Sequence, residues 1–72
     1  MCIATVYLDT DNQRKAVMHD VISVEAKNNG FLLTALLGEE KFLEGKLKSI
    51  DFLSEHSVVI EEIEEVQATQ SG

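Results

Sequence analysis

The sequence predicts an all-β fold, a small closed or nearly closed β-barrel of about six to seven short strands that associates as a homodimer. Three observations predict it. Short β-prone runs recur along the chain, polar or glycine-bearing turns separate them, and no segment carries a sustained helical apolar period. Open strand edges invite unwanted pairing, so a sheet this small is expected to close on itself or to pair with a second copy.

The elements follow in order. Residues Cys2 to Leu8 form the first run, with Cys2, Ala4, Val6 and Leu8 on one face by the two-residue period. Asp9-Thr10-Asp11-Asn12 is too rich in Asp and Asn to continue a strand and reads as a turn. Val17 to Ala26 is a second run, with a bend expected near His19 and Asp20. Asn28-Asn29-Gly30 has the residue types of a type I′ turn, in which both central residues take positive φ, and predicts a hairpin. Its partner, Phe31 to Leu37, does not alternate. Phe31, Leu33, Ala35 and Leu37 fall on one face, with Leu32 and Leu36 on the other, so both faces need cover. The core can supply one cover and a second subunit the other.

Gly38-Glu39-Glu40 turns the chain into a short strand at Phe42-Leu43 that Gly45 interrupts or kinks. Leu47 to Leu53 and Val58 to Ile63 read as the last strands, joined by the turn Ser54-Glu55-His56-Ser57. Beyond them Ile60, Ile63 and Val66 recur every third residue, which suits either a short helical turn or an extended end. A single domain over residues 1–66 is expected, followed by a small, polar, disordered tail over 67–72.

Composition narrows the function. The chain has 72 residues, 13 acids against 6 bases, a net charge of −7, and 44% apolar residues. One cysteine makes no intrachain disulfide, and no apolar run approaches the roughly 20 residues that span a bilayer. A cytoplasmic protein with no membrane contact is the expectation. Nucleic-acid affinity comes mainly from lysine and arginine neutralising phosphates, which an acidic chain supplies poorly. The alternative of a small RNA-binding barrel rests on Lys41, Lys46 and Lys48 near Phe42 and Phe52. No nucleophile–base pair or phosphate loop signals an enzyme, so the expectation is a non-catalytic binding protein.

The remaining chemistry sits at Cys2. A cysteine in second position can offer its thiolate together with its own nitrogen, an amine if Met1 is removed and an amide if it stays. That pair suits Ni(II) or Cu(II), which favour square-planar nitrogen and sulfur donors, more than Zn(II), which prefers a tetrahedron richer in thiolates. One chain gives half of such a square. Two chains give all of it, with a single metal on the two-fold axis. His19 and His56 lie at no recognised ligand spacing from Cys2 and read as solvated surface residues. Glu61, Glu62, Glu64 and Glu65 read as a solvated acidic face.

Met1-Cys2-x-Ala4-x-Val6-Tyr7-Leu8, Val17-Met18-x-Asp20-Val21, Leu37-Gly38-Glu39-x-Lys41 and Gly45-x-Leu47-Lys48-x-Ile50-Asp51 together resemble the CooT family over about residues 1–63. These are small nickel-binding accessory proteins of carbon monoxide dehydrogenase maturation. The resemblance implies a β-barrel homodimer holding one Ni(II) through Cys2 of each chain. It implies as partners a second copy and a nickel enzyme or its maturation factors, and it selects nickel where the donor chemistry left copper open.

Overall fold

The computed structural model describes residues 3–63 as six strands. They are β1 (Ala4–Thr10), β2 (Gln13–Ala26), β3 (Gly30–Ala35), β4 (Glu40–Glu44), β5 (Lys46–Asp51) and β6 (Ser57–Glu61). They make one sheet in the order β4-β3-β2-β1-β6-β5. Every neighbouring pair is antiparallel except β1 and β6, which run parallel. The described residues include no helix long and apolar enough to cross a membrane.

β1 and β2 form a tight hairpin. Asp9 and Thr10 continue the strand instead of leaving it, and the turn is confined to Asp11 and Asn12, with φ of 34° and 68°. Two successive positive φ values match the twist of the flanking strands, and Asp and Asn tolerate them better than most residues. β2 is 14 residues long and bends where expected. Asp20 takes φ 54°, and register shifts lie between Val21 and Ser23 and opposite Val6. The bend lets one strand serve two partners: its first part pairs with β1, and Val21 to Ala26 pairs with β3.

The β2–β3 hairpin forms, but not through a type I′ turn. Lys27, Asn28 and Asn29 make a three-residue loop, closed by Lys27 N donating to Gly30 O at 2.8 Å, and no residue of 28–30 takes positive φ. Gly30 instead serves close packing against β4. A Cβ there would lie 2.8 Å from Glu44 Cα and closer still to Leu43 O. β3 then stops at Ala35, short of Leu37, because Leu36 N donates to Asp20 O and Gly38 N to Ala35 O, at 2.8 and 2.9 Å. Leu37 is left 88% exposed.

The sheet is not closed into a barrel, contrary to the expectation from sequence. β4 and β5 are its two edges, although they are consecutive in the chain with only Gly45 between them. Strands joined end to end through one residue cannot lie side by side, so no ladder seals the two edges. Gly45 holds φ +151° and donates its N–H to Asn29 O at 3.2 Å. A Cβ at this point would fall 2.6 Å from Glu61 O and 2.7 Å from Ile60 Cγ2. The chain thus passes from one edge strand to the other through a gap that admits only glycine.

β5 ends at Asp51. Its carboxylate accepts from Leu53 N, Ser54 N and Ser54 Oγ at 2.9 to 3.1 Å, ordering the turn into β6. These bonds hold the Asp51 carboxyl below its usual range, the Ser54 N–H contributing most. β6 lies between β1 and β5, and Ser57, Val58, Val59 and Ile60 are all buried, as befits an apolar strand covered on both faces. The core gathers Ala4, Val6, Val21, Leu33, Val58 and Ile60, with Leu8, Val17, Met18, Phe31 and Leu43 packed against it.

Leu33 is fully buried and Leu53 is 94% exposed. Leu33→Ala is expected to cost about 2–5 kcal/mol, enough to unfold much of so small a domain, and Leu53→Ala less than about 0.5 kcal/mol. Urea midpoints of the two variants check this. Gly45→Ala combines backbone strain with a clash and is expected to cost at least about 2 kcal/mol in the same assay.

Candidate functional site

Cys2, the predicted metal ligand, lies outside the described residues, as do 64–66 and the tail over 67–72. β1 begins at Ala4, 6% exposed and paired with Val21, so the chain two residues beyond Cys2 is anchored in the core.

Thr5 brings both histidines to this end of β1. Its N–H donates to His56 O at 3.1 Å as the parallel β1–β6 ladder starts. Its hydroxyl Oγ1 lies 3.4 Å from His19 Nδ1, across the β1–β2 ladder. His56, at φ 50°, also sets its ring edge-on to Phe52, with centroids 6.0 Å apart. Linear spacing separated both histidines from Cys2. The register returns them to Thr5, three residues along from Cys2, a stretch that spans at most about 11 Å. Only the His19 imidazole reaches Thr5, whereas His56 is held there by its backbone carbonyl and turns its ring to Phe52. Among the described residues themselves, no three of His, Cys, Asp and Glu converge on a point that could hold a metal.

The lysines of the RNA alternative are divided between two strands. Lys41 lies on β4 and Lys46 on β5, the opposite edges of the sheet. Lys48 is committed to Asp9, Nζ to Oδ2 at 2.8 Å. Asp9 also takes a two-pronged contact from Arg14, its pairing partner in the β1–β2 hairpin, with Nε–Oδ1 at 2.7 Å and the second nitrogen at 3.0 Å from Oδ2. The Asp9 side chain is only 16% exposed. The Arg14 hydrogen bond first, and the Lys48 bond second, hold its carboxyl far below the usual carboxylate range. One carboxylate thus ties β2 and β5 to β1. Sequence reading set Asp9 aside as a turn former, and only its two partners in space reveal the role.

A folded carboxyl whose affinity for protons is depressed stabilises the fold fully above its unfolded pKa, near 3.8, and progressively less as pH falls toward the folded value. Asp9→Asn is therefore expected to lower the urea midpoint at pH 7. The gap between variant and wild type should narrow steadily once the pH is taken below about 4. A gap unchanged between pH 7 and pH 3 would show that the ion pairs add nothing.

The family model described as CO dehydrogenase accessory protein CooT matches residues 1–61. A crystal structure from Carboxydothermus hydrogenoformans assigned to CooT superposes with a TM-score of 0.78 at 21% sequence identity, covering 88% of this chain and 100% of that one. No curated protein matches. The structural likeness concerns the fold, while the family match includes the Met1-Cys2 opening and all six strands.

Proposed function

Because the chain belongs to the CooT family of CO dehydrogenase accessory proteins, we propose that it binds Ni(II) through Cys2, one ion per homodimer, in support of the maturation of a nickel enzyme such as carbon monoxide dehydrogenase. The reading rests on one observation above others: the chain's single thiol falls inside the family match, two residues ahead of a core-anchored strand. The protein's task on this reading is to hold or deliver a metal ion, with no bond of a substrate made or broken.

The ligand chemistry follows from the cysteine. A thiolate and its own backbone or terminal nitrogen close a five-membered chelate ring, and two such pairs complete the square plane that Ni(II) favours. Two-fold symmetry supplies the second pair without any further ligand from the sequence. Loading displaces the thiol proton, whose pKa is ordinarily about 8.5, so affinity falls as the solution is acidified.

Nickel titration followed by absorbance tests the proposal. The wild-type chain is expected to develop a thiolate-to-nickel charge-transfer band that saturates at one Ni per two chains and weakens from pH 7.5 to pH 5.5. Cys2→Ser should lose the band and keep the wild-type urea midpoint. His19→Ala, which removes the imidazole beside Thr5, should keep it. Full affinity in Cys2→Ser, or saturation at one nickel per chain, would overturn the dimeric Cys2 site.

A further inference from the structure

The bend in β2 has a second effect, on the side of the strand away from β1. β3 pairs with β2 only as far as Val21, and the last hydrogen bond on that side runs from Leu36 N to Asp20 O. Beyond it, among the described residues, no strand pairs with the β3 side of Ala16 to His19. The open edge faces a groove of ≈560 Å³ between β2 and the β3–β4 turn. Val17 and Met18, half-buried against the core, line it together with Leu36 and Leu37, 44% and 88% exposed. Asp20, Glu39 and Glu40 stand around it against the single cation Lys41, with His19 alongside.

We infer that this edge and groove bind an extended, lysine- or arginine-bearing segment of a partner protein by strand addition. Backbone amides and carbonyls left open along a strand are the template for such pairing, and side-chain pockets beside them supply selectivity. An incoming strand would continue the β3 ladder past Asp20, set an apolar side chain between Met18 and Leu37, and present its cations to Asp20, Glu39 and Glu40. Charge chooses the occupant. Asp20, Glu39 and Glu40 outnumber Lys41 around the groove, and a cationic segment relieves that imbalance. Lys15 stands farther along β2, outside the groove, and Arg14 is occupied by Asp9. The cations of the partner are therefore placed at the Asp20 end. The inference goes beyond nickel binding and does not depend on it.

The probe is a fluorescein-labelled octapeptide alternating Lys and Val, titrated with the full chain at pH 7 and about 0.15 M salt, where long-range attraction is screened. Fluorescence anisotropy should show saturable binding, with at least about tenfold weakening for the Glu-Val octapeptide, for a Lys-Val octapeptide N-methylated at alternate backbone nitrogens, and for Leu37→Asp. Glu39→Lys/Glu40→Lys should weaken binding, and Glu61→Lys/Glu62→Lys, an equal change of charge away from the groove, should not. Amide exchange at Ala16 to His19 should slow when the peptide is bound. Equal loss with both charge reversals would reduce the effect to overall acidity. Undiminished binding of the N-methylated peptide would exclude strand addition. Either result overturns the inference. So would failure of the peptide to bind, whether the edge amides stay open or are already protected in a dimer seen by sedimentation.

Discussion

The parallel ladder between β1 and β6 holds the molecule together. β1 pairs on one side with β2, which follows it in sequence, and on the other with β6, roughly fifty residues away. Without β6 the first four strands would form a meander with β1 at its edge. With it, β1 becomes interior, and β6 itself is buried on both faces between β1 and β5. Val6, Val58 and Ile60 meet across this ladder in the centre of the core. Parallel pairs are slightly weaker per residue than antiparallel ones and require a long connection. The compensation lies in burial, since four consecutive residues of β6 leave water at once.

The long connection explains why the sheet stays open. From β3 the chain must reach β6 on the far side of β1, and it does so as two short strands that share one glycine. β4 extends the β3 side, Gly45 crosses, and β5 extends the β6 side. A barrel would need the two edges side by side. Here the same stretch of chain supplies both, end to end, and covalent continuity takes the place of a hydrogen-bonded seam. Gly30 and Gly45 make the crossing possible because both stand where a Cβ would strike backbone. The β2 bend at Asp20 matches this geometry. A strand that leaves β1 to follow β3 exposes part of its own edge, and that exposed part borders the groove.

Electrostatics reinforce the same ladder. In a chain of net charge −7, repulsion among carboxylates opposes compaction, yet one carboxylate collects two cations. Asp9 sits near the end of β1 and takes Arg14 from β2 and Lys48 from β5, so its contacts span four neighbouring strands of the sheet. At the other end of β1, Thr5 joins His19 from β2 and the His56 carbonyl ahead of β6. The proposed nickel chemistry and the proposed strand-addition edge thus draw on two features of one arrangement: where β1 starts, and where β2 leaves it.

The strands themselves were legible in the sequence because local chemistry determines them. Val, Ile and Leu runs marked the strands, Asp20 the bend and Gly45 the break between β4 and β5, but the polar stretch Gln13 to Ala16 that opens β2 ahead of the Val17 start read from sequence was missed. Family membership was legible from the Met1-Cys2 opening and the later motifs, and the 1–61 match shows it. Turn chemistry was read less well. Asn-Gly suggested a positive-φ turn at 29–30, while Asp11-Asn12 adopted one, since Gly30 was needed for its missing Cβ at β4. Three things only the tertiary structure decided: the parallel β1–β6 ladder, the open edges, and the partners of Thr5 and Asp9. Each depends on contacts between residues far apart in the chain, and residue types constrain their near neighbours far more tightly than their distant ones. Sequence determined what each segment would be; packing around β6 decided which segments would meet.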